Sequence, residues 1–160
     1  MKYHRLTHEQ LSELHYEFAV FVTTQGLDQK KWQEIKKKEP ERVDQFLDLF
    51  SDIVWDRYIR DCEYLEYSAT NQLFLFKITP EKAYTYILKT TDTTIDFTVP
   101  TDVHKVFQNL AADPLHILEG SKPYDTDALD FIYEYLKKGA VKTEGAYFKA
   151  LESYFSNSSK

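Results

Sequence analysis

Four aspartates at a helical spacing are the strongest candidates for chemistry in this sequence. Asp44, Asp48, Asp52 and Asp56 recur every fourth residue, so an α-helix would place their carboxylates along one face. Paired carboxylates act as general acids and bases and as ligands for divalent cations. Like charges one turn apart also describe an ordinary solvated helix face. We therefore favour a solvated or partner-facing role for this acidic stripe over catalysis, and we expect no metal.

Two aromatic residues flank the acidic stripe. Trp55 and Tyr58 belong to the residue types that often dominate binding energy at protein interfaces. An acidic surface also attracts a basic partner and speeds encounter with it. The pattern predicts a docking site for another protein with a basic surface, provided that the rest of the chain leaves this face uncovered. In the alternative interpretation both aromatics belong to the core, and the aspartates only keep the protein soluble.

A basic segment offers nucleic-acid binding as the second interpretation. It follows Gly26 and loosely resembles a helix-turn-helix. Its lysines are Lys30, Lys31, Lys36, Lys37 and Lys38. Glu34 interrupts them, Asp28 and Glu39 flank them, and the net charge of −6 is spread evenly along the chain. Nucleic-acid affinity usually rests on a concentrated basic surface, so this function ranks below protein binding, and an unrecognised enzyme ranks third.

The remaining reactive residues do not form a catalytic or cofactor-binding pattern. His8 and His15 lie seven residues apart, about 10 Å along a helix, which is too far for a shared zinc ion, and His4 falls outside the helix. The single cysteine, Cys62, excludes an internal disulfide and a cysteine-rich zinc site. None of the four glycines lies in a phosphate-binding motif. We expect no cofactor.

Three helices are predicted in the amino-terminal part. A capping box that begins at Thr7 starts the first, over residues 8–24. The second covers residues 28–38, and the third covers residues 41–61. Pro40 suits the first position of the third helix, because its missing N–H would have no partner there. This longest helix carries the acidic stripe.

The middle of the chain changes from helical to alternating periodicity. Three stretches, QLFLFKIT, AYTYILKT and TIDFTV, are rich in aromatic and β-branched residues. They predict three or four antiparallel strands over residues 62–99, with a tight turn at Pro80. Their short connections permit a meander and exclude parallel crossovers. The strand aromatics fit a sheet face packed on helices better than a surface for stacking nucleic-acid bases.

Helical spacing returns after Pro100. We predict helices over residues 102–112, 126–138 and 143–155. Asp125 or Thr126 caps the second of them, and Gly139 follows its end. The stretch DPLHILEGSKPY is expected to be a loose connection.

These elements predict one α+β domain spanning residues 1–160. In it, an antiparallel three- or four-stranded meander packs against the amino-terminal helices and a carboxy-terminal helical hairpin. The sequence has no apolar signal region and no membrane-length apolar run, so we expect a cytoplasmic protein. The function favoured is a non-enzymatic protein–protein interaction module, and the formation of homo-oligomers stays open.

Two stretches carry a resemblance to a known family. They are KYHRLTHEQLSEL and LFSDIVWDRYI, separated by QGLDQKKWQEIKKKEPERV. Over about the first 65 residues the chain resembles a family of small uncharacterised proteins from Bacteroidota-type bacteria. The resemblance implies a bacterial cytoplasmic origin and no functional residues. GAYFKALESY is similar to half of a tetratricopeptide repeat; such repeats need about three copies, so it indicates only a helical hairpin.

Overall fold

The computed structural model describes residues 2–111 and 114–158. Within these residues it has seven helices and one five-stranded antiparallel sheet, which confirms the α+β class. The chain divides into two compact units, Met1–Tyr58 and Ile59–Lys160, and each is described by itself. The expectation of a single domain, with the amino-terminal helices packed on the sheet, stays a prediction.

The first unit is helical. Its helices are α1 (His8–Glu13), α2 (His15–Thr24), α3 (Gln29–Lys38) and α4 (Pro40–Arg60), of which α4 extends two residues into the second unit. Asp28 caps α3 by accepting the backbone N–H of Lys31 at 2.8 Å. The predicted helices over residues 28–38 and 41–61 are therefore confirmed to within one residue at each end.

The predicted helix over residues 8–24 is wrong in one respect, because it is interrupted at Leu14. Leu14 has φ −102° and ψ 19°, outside helical geometry. Nearby, the His15 ring nitrogen Nδ1 lies 2.9 Å from the Ser12 carbonyl oxygen. A regular helix would use that carbonyl to accept the backbone N–H of Tyr16. A side chain that enters the helical hydrogen-bond ladder in this way bends or breaks the helix.

Aromatic side chains form the core of the first unit. Phe18 of α2 meets Phe50 of α4 edge to face, with ring centroids 5.2 Å apart. Trp32 of α3 meets Phe46 of α4 in the same manner at 5.7 Å. Such edge-to-face pairs add to the stabilisation that burial alone supplies. One face of α4 is thereby fixed against the other helices of the first unit.

The second unit contains the sheet and three helices. In chain order it has β1 (Tyr64–Ser68), β2 (Gln72–Ile78), β3 (Lys82–Thr90), α5 (Pro100–Gln108), β4 (Leu115–Pro123), α6 (Ala128–Lys137), β5 (Val141–Thr143) and α7 (Ala146–Ser158). The spatial order is β4-β3-β2-β1-β5. The predicted strands QLFLFKIT and AYTYILKT are confirmed as the antiparallel neighbours β2 and β3, and β1 lies within the predicted strand region, residues 62–99. The backbone of Thr79 donates to the Lys82 carbonyl across the turn at Pro80.

The predicted strand TIDFTV is wrong. Residues 91–99 form turns instead. In each of two D-x-T sequences, the aspartate side chain accepts hydrogen bonds from the threonine two residues later. Asp92 accepts the backbone N–H of Thr94 at 2.9 Å, and Asp96 accepts that of Thr98 at 2.8 Å. Each aspartate takes a backbone donor that a strand would need for its ladder.

The remaining two strands lie where none was predicted. The stretch expected to be a loose connection contains β4, which pairs with β3 along its whole length, from Leu115 to Pro123. Gly120 and Pro123 are turn formers. They mask the strand-like alternation at Leu115, His116 and Ile117, in which a polar residue lies between two apolar ones. The predicted helix over residues 102–112 ends earlier, at Gln108, while Ala112 lies outside the described residues.

The predicted carboxy-terminal helical hairpin is also wrong. β5 separates α6 from α7, and the two helices lie on opposite faces of the sheet. Phe131 of α6 contacts Phe76, whereas Phe148 of α7 contacts Tyr86. Because Tyr86 is adjacent in sequence to the Thr85 that pairs with Phe76, these contacts are on different faces.

The boundaries of these two helices also differ from the prediction. Asp127 caps α6, where Asp125 or Thr126 was expected, and it accepts the backbone N–H of Asp130. α7 starts at Ala146 instead of residue 143, because β5 occupies residues 141–143. Gly139 follows α6, as predicted, with φ +108°.

Candidate functional site

The acidic stripe lies on α4, where the chain's own amino-terminal segment, residues 2–6, binds to it. Arg5 Nε lies 2.7 Å from Asp48, and its Nη1 lies 3.2 Å from Asp44. Asp52 accepts the backbone N–H groups of two residues of the segment, each at 2.8 Å. These donors belong to Lys2 and Tyr3.

Burial of two apolar side chains fixes the segment in place. Tyr3 is 5% exposed and Leu6 is 6% exposed. The Leu6 backbone N–H donates to the Ser51 hydroxyl at 3.0 Å, and that hydroxyl donates to the Leu47 carbonyl at 2.7 Å. Ser51 is fully buried, so the structure satisfies the hydrogen-bonding groups that it covers. The segment is thus an integral part of the first unit.

The contact with Arg5 changes the electrostatics of the stripe. The hydrogen bond from Arg5 lowers the pKa of the Asp48 carboxyl below its ordinary value, and the bond to Asp48 raises the pKa of the Arg5 guanidinium. The Asp44 side chain remains 61% exposed. The predicted docking site requires that the rest of the chain leave the acidic stripe uncovered. That requirement is met only in part, because residues 2–6 bind to the stripe.

The two predicted aromatic anchors stand beside the segment. The Trp55 ring is half-buried and lies 4.8 Å from the His4 ring, centroid to centroid. Tyr58 meets Trp55 edge to face at 6.4 Å and is 43% exposed. Trp55 is therefore occupied within the first unit, and Tyr58 is the accessible member of the pair.

The lysines of the nucleic-acid interpretation are exposed, but they do not all lie on one side of α3. At 100° per residue, Lys30 and Lys37 point to one side of α3, while Lys31 and Lys38 point about 100° away. Lys36 projects in a third direction, and with Lys37 and Lys38 it lies in the last turn. Cations there are stabilised by the helix dipole, so their position has a structural explanation.

Reactive residues in the described part of the chain are dispersed. No group of three or more histidine, cysteine, aspartate or glutamate side chains there could hold a metal ion. Cys62 is buried, and that burial raises the pKa of its thiol to about 11, which keeps the thiol in its unreactive protonated form. Burial also raises the pKa of the Glu66 carboxyl.

The cleft beside α5 contains carboxylates that already have partners. It has a volume of about 410 Å³, and its lining includes Asp92, Asp102 and Lys105. Asp92 bonds to Thr94, and Asp102 accepts the backbone N–H of Asp96 at 3.0 Å. These carboxylates hold the 91–99 loop in its conformation.

A row of apolar side chains crosses the sheet on the face that carries α6. Strand register places Tyr67 opposite Phe74, Phe74 opposite Ile87, and Ile87 opposite Leu118. We call these four residues the open row. Its first three members are half-buried, and Leu118 at its end is 49% exposed. A groove of about 260 Å³ runs beside the row and is lined in part by Phe76 and Tyr135.

The open row ends on an edge strand. β4 is the outermost strand of the sheet, and no strand within residues 2–111 and 114–158 pairs with its outer edge. Its residues 118–123 are all exposed. An unprotected edge presents N–H and C=O groups that can pair with another chain. Sequence reasoning missed this surface because it treated β4 as a loop.

Comparison with known proteins places the chain in a family. Residues 1–156 match a model described as "Family of unknown function (DUF6495)". The chain belongs to this family. The predicted resemblance to an uncharacterised family is thereby confirmed in its general form, while the bacterial group stays a prediction. No curated protein and no solved structure matches the chain significantly.

Among the described residues, the DUF6495 chain has no helix both long and apolar enough to cross a membrane. Two surfaces stand out in this family member. The acidic stripe binds residues 2–6 of its own chain, and the open row leads to an exposed strand edge.

Proposed function

We propose that the DUF6495 chain is a non-enzymatic protein–protein interaction module that binds through the open row and the outer edge of β4. The observation that carries this proposal is the position of Leu118. This half-exposed leucine ends an apolar row on a strand whose outer edge no described strand covers.

Two kinds of contact are available on this surface. The edge of β4 can pair with an extended segment of another protein, which supplies main-chain hydrogen bonds. An apolar side chain opposite Leu118 would add burial at the end of the open row. The ligand expected is therefore an extended protein segment with alternating apolar residues.

The other interpretations have less structural support. A basic partner at the acidic stripe would compete with Arg5 for Asp44 and Asp48. A nucleic acid would not contact all five α3 lysines at once, because Lys36 projects at least about 100° away from the other four. We further propose a bacterial cytoplasmic setting, on the basis of the amino-terminal resemblance.

Capture from a lysate of the source cells tests the proposed interface. The tagged wild-type chain should retain a partner, and Leu118→Glu should reduce its recovery about tenfold, equivalent to about 1.4 kcal/mol of binding free energy. Tyr16→Glu is the matched control, because Tyr16 is 70% exposed on the first unit. Mass spectrometry then shows whether the captured protein is another copy of this chain or a different one. Equal recovery by both variants would contradict the proposed interface.

A further inference from the structure

The sequence of β4 permits pairing with itself. The edge residues Leu115–Ser121 lie in one regular strand that contains no proline before Pro123. A two-fold axis perpendicular to the sheet makes two such strands antiparallel and keeps equivalent faces on the same side. Residues that face each other across the axis must then have numbers with an even sum, because paired antiparallel residues share a face.

These registers differ in the residues that they bring together at the centre. Centring the axis on Glu119 puts two carboxylates directly opposite each other, which is destabilising. Centring it on Gly120 aligns two residues without side chains and sets Leu118 against Lys122. Centring it on Ile117 also opposes no like charges, but Ile117 is half-buried and packs against the core of its own chain. Centring it on Leu118 sets leucine against leucine at side chains that are 49% exposed, and it leaves no like charges directly opposite. That register also pairs Ile117 with Glu119 and His116 with Gly120.

We infer that a second copy of this chain pairs antiparallel along the outer edge of β4, with Leu118 of each copy opposite Leu118 of the other. The inference rests on the proposed function, since it names the occupant of the same surface. In the resulting dimer the two sheets become one, and the open row of one copy continues into that of the other at the Leu118 pair.

The limited contact area sets the strength of this dimer. Pairing along residues 115–121 covers one strand edge and the Leu118 side chains. Such a contact buries less than the roughly 1,000 Å² expected of a stable interface. The dimer is therefore weak and reversible, and it forms as the concentration rises.

Sedimentation of the full chain from micromolar to near-millimolar concentration tests the self-association. Wild type should shift from monomer to dimer. Leu118→Arg should raise the dissociation constant about tenfold or more, because it places two cations at the axis. Val141→Arg should leave the constant unchanged, since Val141 is 59% exposed on the opposite edge strand. Circular dichroism confirms that both variants fold.

Cysteine cross-linking tests the register. Leu118→Cys should give a covalent dimer with a short thiol cross-linker, because directly opposed Cβ atoms lie about 5 Å apart. Gly120→Cys alone should give little product, since its two copies would be offset by about 13 Å along the strands. A mixture of Gly120→Cys and His116→Cys should react. The native Cys62 is buried and should stay unmodified.

The outcomes separate this inference from the proposed function. The β4 dimer would be overturned by any of three results. The chain could stay monomeric throughout, Leu118→Arg could leave the dimer unchanged, or Gly120→Cys could react faster than Leu118→Cys. Capture of a different protein that depends on Leu118 would overturn the dimer as occupant while supporting the interface. Monomeric behaviour together with capture that does not depend on Leu118 would overturn both.

Discussion

Gly145→Ala should lower the free energy of unfolding by about 2–4 kcal/mol. A Cβ atom at this position would lie 2.5 Å from the Tyr64 ring, closer than real Cβ atoms approach. That ring is itself held by Phe148, whose centroid lies 5.7 Å away, so it has little freedom to retreat. Gly145 also has φ +81°, a conformation that an alanine adopts only with strain.

Gly26→Ala separates these two causes. Gly26 has nearly the same backbone conformation, φ +79°, but an added Cβ would have no neighbour within 4 Å. Gly26→Ala should lower the free energy of unfolding by only about 1 kcal/mol. Urea unfolding followed by circular dichroism compares the two variants. Equal losses would show that Gly145 matters only for its backbone conformation and that its packing against Tyr64 is not tight.

Leu6→Ala should cost about 2–4 kcal/mol of unfolding free energy, as is usual for a buried leucine. Leu6 is buried among the aromatic side chains of the first unit. Its backbone N–H also bonds to the buried Ser51 hydroxyl. Tryptophan fluorescence during urea unfolding measures the change, because Trp55 contacts His4 in the same segment.

Arg5→Gln is the control for electrostatic anchoring of the amino-terminal segment. The Arg5 side chain is 39% exposed, and the side chains of its partners Asp44 and Asp48 are 61% and 33% exposed. Exposed ion pairs contribute about 0–1 kcal/mol, so this variant should unfold almost like wild type. If Arg5→Gln cost as much as Leu6→Ala, the segment would be held by charge, and a basic partner at the acidic stripe would regain support.

The elements with strong local patterns were predictable from the sequence. α4 combines an apolar face with Pro40 at its first position, and β2 and β3 combine alternation with a proline turn. Elements governed by competing side-chain contacts were not. The His15 ring interrupts the first helix, and Asp92 and Asp96 divert a β-rich stretch into turns.

The candidate site was less predictable because it depends on tertiary contacts. Spacing alone places the acidic stripe on one helix face, but it cannot show that residues 2–6 cover that face. A signal was present, since basic Lys2 and Arg5 are each followed by an apolar residue, Tyr3 and Leu6. The open row is defined only once four strands are paired in register. It could not be found while β4 was taken for a loop.

Amide hydrogen exchange of the full chain at low and high concentration tests the central claim most directly. The account predicts that slower exchange at high concentration is concentrated in β4, Leu115–Pro123, where a new strand would supply hydrogen-bond acceptors. Leu118→Arg should abolish that difference, and Val141→Arg should preserve it. Added protection confined to α4 and residues 2–6, with β4 exchanging equally at both concentrations, would contradict the assignment of β4 as the interface.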